Sequence, residues 1–363
     1  MDEWKHLLID EDVLVRDALK KIDLGGGRNL FVTNEDSSLV GALSDGDIRR
    51  YLLKNGSLDD PIRSIINRNP ICIDASRDKD LAKRLMSKNR IEILPVIDDQ
   101  RHIMGAIHWL DIVDSPSRNI ARRADLPVVI MAGGRGERLS PLTKILPKPL
   151  VPLGDKPIIE VIIDQFMIAG VANFYIILNY KGDLVRTYLE SINESANFEY
   201  IWEKDFLGTA GGLKLLPDDF PDNFVLSNCD IIVNADYGDA LVHHKENQNF
   251  ITVIGSVQHY KIPFGVIDYG ENGKITKFQE KPELDFTINT GVYIINKEIL
   301  KLIPNDGQYH MTDLIKEGMS RDMKIGVYPV SEKSFIDIGQ LKSYNEVIEN
   351  LRSGRLDLAD RND

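Results

Sequence analysis

The sequence is nearly without cysteine: Cys72 and Cys229 are the only two among 363 residues. So few, so far apart, they exclude a disulfide framework and a cysteine zinc site, and both are expected to be buried thiols. An excess of positive charge is also missing. The 44 Lys and Arg stand against 56 Asp and Glu, a formal net charge of −12; a generic binder of nucleic acid or of an anionic membrane needs a basic face instead. No apolar run approaches the roughly 18 residues of a membrane span, and the opening MDEWKHLLID is acidic and too polar for a signal peptide. The expectation is a cytoplasmic protein with neither a nucleic-acid nor a membrane partner. Of the seven histidines only His243 and His244 form a close pair, and as neighbours that diverge on a helix they read as surface residues.

What is present begins with a repeat. RNLFVTNEDSSLVGALSDGDIRR (28–50) and RIEILPVIDDQRHIMGAIHWLDIVD (90–114) are two versions of one unit: an apolar strand, a polar turn, a second strand carrying glycine, then a helix opened by a carboxylate. Gly41 to Asp47 and Gly105 to Asp111 have the same spacing, 64 positions apart. DSPSRNIARRADL (114–126) is polar, contains Pro116 and suits a linker. Beyond it, short runs rich in Val, Ile and Phe at 127–132, 174–178, 224–227 and 250–254 are separated at first by helix-like segments, PIIEVIIDQFMIAG and KGDLVRTYLESI. That alternation implies βαβ units and a mainly parallel sheet covered on both faces. Polar residues follow the strands in PVVIMAGG and NFVLSNCD, at the carboxyl ends where open α/β sheets bind ligands.

One stretch is cationic against the acidic background. VVIMAGGRGERLSPLTKILPKPLVPLGDKP (128–157) holds Arg135, Arg138, Lys144, Lys148 and Lys156 against Glu137 and Asp155. It is not a P-loop, which needs Gly-Lys followed by Ser or Thr. Nor is it a dinucleotide-binding loop, since Leu139 stands where the third glycine belongs and Pro141 follows. Prolines at 141, 147, 149, 152 and 157 rule out a continuous helix, so a stiff, extended, cationic loop is expected.

Those residues resemble the sugar-1-phosphate nucleotidyltransferase (nucleotide-sugar pyrophosphorylase) family, with its G-G-x-G-x-R-L, then P-K-P-L. Further motifs follow in the family's order: LGTAGGL (207–213), SNCD (227–230), FGVI (264–267), EKP (280–282), NTGVY (289–293) and FIDIG (335–339). The N-terminal repeat resembles a cystathionine-β-synthase (CBS) domain pair. The fold implied is α/β: a Rossmann-like mixed, mainly parallel sheet (the nucleotide-diphospho-sugar transferase fold) preceded by a tandem CBS (Bateman) α+β module. Expected boundaries are CBS units at 1–60 and 61–118, a linker at 119–126, the transferase at 127–350 and a tail at 351–363.

The resemblance implies attack of a sugar 1-phosphate oxygen on the α-phosphorus of a nucleoside triphosphate, with pyrophosphate leaving. No general base is required, because a phosphate monoester with a second pKa near 6 is already mostly dianionic at pH 7. Ala132, Gly133, Gly134, Arg135, Gly136, Arg138 and Lys148 would hold the triphosphate, and Gly208, Thr209 and Ala210 would lie beside base and ribose. Gly265, Glu280, Lys281, Asn289 and Thr290 would line the sugar site, with Lys281 on the sugar phosphate. Asp230 and Asp337 would converge on Mg²⁺, and Arg138, Lys148, Asp230 and Lys281 would carry the catalysis. Two positions depart from the family pattern: Glu137 where Thr is frequent, and Cys229 where Gly is frequent. In the CBS pair, Ser44 and Asp47 take an adenine nucleotide or, in the alternative reading, Ser44, Asp47 and Asp111 merely cap helices, and His108 replaces the usual Ser or Thr of the second unit. A homo-oligomer is expected.

The order of domains resembles bacterial guanylyltransferases that convert glucosamine 1-phosphate to GDP-glucosamine for nonulosonic (legionaminic-type) sugar synthesis. GTP with glucosamine 1-phosphate is thereby favoured; mannose-1-phosphate guanylyl transfer is the nearest alternative, followed by uridylyl or thymidylyl transfer. A nucleotide-sensing protein with an inactive transferase half is the reading from another class; Lys148 and both candidate metal carboxylates stand against it.

Overall fold

Alternation writes the N-terminal strands. The computed structural model describes residues 4–25, 29–34, 36–74, 79–89, 91, 93–108, 126–192 and 196–353; apart from Leu126, the expected linker lies outside them, as do Asp111 and all of the tail after Ser353. β1 (Leu8–Asp10), β2 (Asn29–Thr33) and β3 (Leu39–Ser44) form one sheet, the first pair parallel and the second antiparallel. β4 (Ile73–Asp74), β5 (Ile93–Ile97) and β6 (Ile103–His108) repeat that arrangement. Every second residue of β3 and of β6 is buried, the period of a half-buried strand. α1 (Val15–Gly25) and α2 (Asp45–Leu52) belong to the first unit, and α3 (Lys79–Asn89) to the second. The two sheets meet over Leu7, Phe31, Leu39, Ile93 and Ile103.

The second region is built on a seven-stranded sheet in the order β11-β10-β7-β12-β17-β14-β18. Its strands are β7 (Val128–Met131), β10 (Asn173–Leu178), β11 (Asn197–Trp202), β12 (Asn223–Asn228), β14 (Ile251–Lys261), β17 (Glu283–Asn296) and β18 (Ile325–Val330). Four of the six pairings are parallel, and only β17 runs against its neighbours. VVIM and NFYIIL are nearly continuous apolar runs because helices and turns cover both faces. α4 (Ile158–Ile168) and α5 (Gly182–Ile192) are the crossovers expected from the sequence. α7 (Tyr237–Glu246), α8 (Met311–Ser320) and α9 (Leu341–Arg352) complete the layers, with the single-turn α6 at Gly208–Gly211. No helix among the described residues is long and apolar enough to cross a membrane.

Two short ladders matter for the site. β13 (Ile231–Val233) pairs antiparallel with β19 (Phe335–Asp337), placing Ile231 opposite Asp337. β15 (Val266–Tyr269) and β16 (Ile275–Gln279) form an exposed hairpin, and β8 (Pro152–Leu153) with β9 (Lys156–Pro157) close the proline-rich loop.

Two expectations need correction. His244 is not a surface residue. It is 1% exposed, bonded through its ring nitrogens to Thr252 Oγ1 at 2.9 Å and Asn223 Oδ1 at 3.1 Å, and burial pushes its pKa down to about 4. Adjacent helical residues diverge by about 100°, and on α7 that rotation turns His244 into the core. The loop after β7 is not fully extended either: single 3-10 turns form at Glu137–Leu139, Leu142–Lys144 and Lys148–Leu150, a fold tight enough to fit between prolines. Of the two thiols, Cys229 is buried and Cys72 half-buried.

Candidate active site

Sheet order decides which loops meet. β7 and β12 are parallel neighbours with Met131 opposite Asn228, so the glycine loop leaving one and the Asn-Cys-Asp leaving the other emerge side by side. Between them opens a cleft of about 730 Å³. Gly133, Gly134, Arg135, Gly136, Arg138, Lys148, Gly208, Thr209 and Asp230 all line it. Ala132 and Ala210 lie just beneath: both are fully buried, their N–H groups donating to Ile177 O at 2.9 Å and Tyr309 O at 3.0 Å.

The loop's shape is forced at Gly136. Its φ is +67°, and a Cβ there would stand 2.8 Å from Lys148 Cβ and 2.9 Å from Thr143 Cγ2. Thr143 donates its hydroxyl to Gly136 O at 2.9 Å. The turn therefore presses against Lys148, whose ammonium forms an ion pair with Asp230, their side chains 12% and 10% exposed. Around Gly134 nothing lies within 4 Å of a would-be Cβ, which leaves its backbone open to a ligand.

Asp230 and Asp337 converge on Gly339. A Cβ at Gly339 would collide with Asp230 Oδ2 and stand 3.0 Å from Asp337 Oδ1, which already accepts the Gly339 N–H at 2.7 Å. Ile338 N–H donates to Asp230 O at 3.0 Å. Two carboxylates converge here, and no group of three His, Cys, Asp or Glu able to hold a metal occurs among the described residues. That donor set fits Mg²⁺, which takes one or two carboxylates and fills its remaining positions with water and substrate phosphate. Cys229 beside them is no nucleophile, because burial pushes its thiol up to about 12.

The cleft contains a carboxylate that the sequence reading did not single out. Glu203, at the carboxyl end of β11, is 7% exposed and lines the cleft. One oxygen points toward Gly133 and the other toward Gly212, and Oε1 has no hydrogen-bond partner. Burial pushes its pKa up to about 7. The available signal was its place at the end of a parallel strand, five positions before Gly208. Phe206, Gln308 and His310 complete the same wall; the Arg135 guanidinium lies 5.1 Å over the Phe206 ring, and Thr209 accepts the Met311 N–H at 3.0 Å.

The remaining sequence-predicted residues lie outside this cleft. Gly265 packs against Phe278 and Glu280 at the foot of the β15–β16 hairpin. Glu280 and Lys281 are exposed there, 3.8 Å apart. Asn289 donates to Tyr293 Oη at 2.8 Å and accepts the Gly291 N–H at 3.0 Å. Thr290 is 2% exposed, its hydroxyl donating to Ile254 O at 2.6 Å. In the N-terminal region, Ser44 and Asp47 form a reciprocal capping box at the start of α2.

With this geometry, comparison with known proteins is informative. The family profile described as nucleotidyl transferase matches residues 127–354, and the CBS domain profile matches 5–54 and 62–118. The chain is 33% identical over 231 residues to a mannose-1-phosphate guanyltransferase of Gibberella zeae, covering 60% of this chain and 61% of that protein. It is 29% identical over 249 residues to a UTP–glucose-1-phosphate uridylyltransferase of Synechocystis sp., covering 63% and 64%. The chain thus spans about three fifths of the length of these curated relatives. A likeness of fold extends to the crystal structure of HddC from Yersinia pseudotuberculosis, with TM-score 0.50 and 24% identity over 62% of this chain and 99% of that one.

Proposed function

The chain belongs to the nucleotidyl transferase family, and on that premise we propose that it transfers a guanylyl group from GTP to a sugar 1-phosphate, releasing pyrophosphate. The carrying observation is Glu203, a buried carboxylate with a partnerless oxygen in the cleft wall. Guanine presents N1–H and N2–H side by side, and an ionised carboxylate accepts both. Uracil and thymine offer a single N–H between two carbonyl oxygens, which the same carboxylate repels. A buried acceptor left unpaired costs about 1–3 kcal/mol, so the matching base is selected against the others. The guanyltransferases among the relatives point the same way, and the uridylyltransferase keeps UTP as the alternative to be tested.

Arg135, Arg138, Lys148 and the open backbone at Gly134 neutralise and seat the triphosphate, while Lys148 exchanges its partner Asp230 for phosphate oxygens. Asp230 and Asp337 are the residues that would hold Mg²⁺, which when bound supplies charge neutralisation at the reacting phosphates. The sugar-phosphate oxygen attacks the α-phosphorus, the bond to the β-phosphate oxygen breaks, and pyrophosphate carries away the electron pair. From the hairpin Lys281 meets the sugar phosphate and Glu280 a sugar hydroxyl, with Gly265 and Asn289 beside them, whereas Thr290 supports that strand from within. In this reading the CBS units at 1–60 and 61–118 carry part of the assembly of a homo-oligomer, and the transferase at 127–350 carries the chemistry. Glucosamine 1-phosphate, en route to a nonulosonic surface or flagellar glycan, is the favoured acceptor on the resemblance in domain order.

Pyrophosphate release with each of GTP, UTP, dTTP and ATP, against glucosamine, mannose and glucose 1-phosphates, tests this reading. GTP should dominate by one to two orders of magnitude or so. A preference for UTP would overturn the guanine assignment, and no turnover with any pair would overturn the enzyme reading.

A further inference from the structure

DIRRYL in the first CBS unit places Asp47, Arg49 and Arg50 on one short helix, and of these Arg49 is only 8% exposed. Its Nε donates to Pro329 O at 2.5 Å and its Nη1 to Tyr328 Oη at 2.7 Å, both in strand β18 of the transferase sheet. The guanidinium lies 4.4 Å over the Tyr328 ring and also bonds Asp45 one turn back on α2. Tyr328 Oη in turn donates to Asp239 Oδ2 at 2.8 Å, and Arg49 Nη1 stands 3.8 Å from the same carboxylate. One buried cation from the CBS module therefore grips two separate segments of the transferase region.

Those two segments carry the candidate metal carboxylates. β18 leads through Ser331 and the turn at Glu332–Ser334 into β19, which ends at Asp337. Asp239 sits in the first turn of α7, capped by Asp236, and the chain running back from that cap through β13 begins at Asp230. The segments are stitched together by Ile231 opposite Asp337, by Asn234 N–H to Ser334 O at 2.8 Å and by Ile338 N–H to Asp230 O at 3.0 Å. At the far end of this paired unit Tyr328 Oη bonds Asp239 directly, and Arg49 supports that bond by donating to Tyr328 and by serving as counter-charge for Asp45 and Asp239. Without Arg49 two half-buried carboxylates and a phenol hydroxyl would face one another with no counter-charge, which weakens the seam.

We propose that Arg49 is a positioning residue: through the Tyr328–Asp239 relay the first CBS unit sets the spacing of Asp230 and Asp337, and with it their affinity for a divalent cation. This rests on reading those two carboxylates as the metal pair. A guanidinium suits the task because its planar fork serves the carbonyl, the hydroxyl and the carboxylates at once, which an ammonium on a flexible stem does not.

The test uses the full chain. Arg49→Met should speed amide exchange in residues 231–237 and 331–338 on the order of tenfold, leaving β7 and β10 unchanged. Titration with Mn²⁺ alone, followed by its electron-spin resonance, should show about tenfold weaker binding, the scale at which supporting contacts tune metal sites. Arg49→Lys should fall between, and Tyr328→Phe, which deletes only the relay hydroxyl, should act in the same direction should Arg49→Met fold poorly. Exchange that rises uniformly through the sheet, or Mn²⁺ affinity equal in wild type and variants, overturns the proposal and leaves the metal reading standing. No Mn²⁺ binding by the wild-type chain overturns both.

Discussion

LSDGD (43–47) and LSNCD (226–230) have the same skeleton, a strand-ending Leu-Ser followed three residues later by Asp, and the molecule uses them in opposite ways. In the CBS unit the next residues are IRRYLL and a helix begins. Asp47 Oδ2 accepts Ser44 N–H at 2.9 Å, and Ser44 Oγ accepts Asp47 N–H at 3.1 Å. Both side chains are consumed in closing the helix end. In the transferase region IIV follows, β-branched residues that favour a strand, and Asp230 has no helix to cap. Its carboxylate is left to Lys148 and to the approach of Asp337 around Gly339. A carboxylate becomes available for chemistry when local backbone groups do not claim it, and the residues after it decide whether they do.

The comparison breaks most visibly at the aspartates themselves. Asp230→Asn should lower turnover by a factor on the order of 10² or more, the scale of losing a preorganised electrostatic contact, while the protein stays folded. Asp47→Ala should leave turnover unchanged and lower stability by about 1 kcal/mol, the worth of a helix cap. Turnover assays paired with thermal melts on both variants decide it. Near-wild-type turnover of folded Asp230→Asn at saturating Mg²⁺ would refute the assignment.

Glu203 sharpens the point, since it is a third strand-end carboxylate and one that nothing satisfies at Oε1. Glutamine offers one donor and one acceptor, the pattern uracil matches, so Glu203→Gln should cut the kcat/KM preference for GTP over UTP by about 10–100-fold, the worth of a bidentate base contact. pH gives an independent reading. Burial raises this carboxyl to about 7, the ionised form is the one that accepts both guanine N–H groups, and GTP binding should therefore weaken as pH falls through 7. A KM for GTP flat between pH 6 and 8 in the wild type would remove Glu203 from base recognition.

A smaller effect separates the two cations. Lys148 lies in the cleft against Asp230, and Lys281 stands exposed on the hairpin. Lys148→Ala should raise the KM for triphosphate about tenfold or lower kcat with the sugar-phosphate KM little changed, and Lys281→Ala the reverse. Identical effects of both changes on both substrates would defeat that division.

Much of the sheet was legible because strands covered on both faces read as unbroken apolar runs: 127–132, 174–178, 224–227 and 250–254 all overlap strands of the one sheet. The glycine loop was legible in its own residues, glycines at 133, 134 and 136 ahead of cations threaded between prolines. What escaped was set by partners far away in the chain. Glu203 acquires its meaning from burial between Gly133 and Gly212, His244 from Thr252 and Asn223, and Arg49 from a strand 279 and 280 positions on. None of those pairings leaves a local trace, and a surface-type residue type points the wrong way in each case.

The smallest expected effect is at Ser44 and Asp47, where an adenine nucleotide was the alternative to capping. A ligand using the Ser44 hydroxyl or the Asp47 carboxylate must open the box, and that costs about 1 kcal/mol before any contact is made. The start of α2 also carries Asp45 and Asp47 together, so its N-terminal dipole is already met by negative charge and a phosphate arriving there is repelled. Asp47 is further held by Arg50, and Asp45 by Arg49 in the seam with β18, so displacing Asp45 would disturb a contact to the transferase region. Calorimetric titration of the full chain with AMP, ADP and ATP, with GTP saturating the transferase cleft, should therefore show no heat that Ser44→Ala removes. Heat that does vanish in Ser44→Ala would place a nucleotide on the very carboxylate end that the capping geometry appropriates, and the contrast between the two Leu-Ser-x-x-Asp turns would then describe only the unliganded protein.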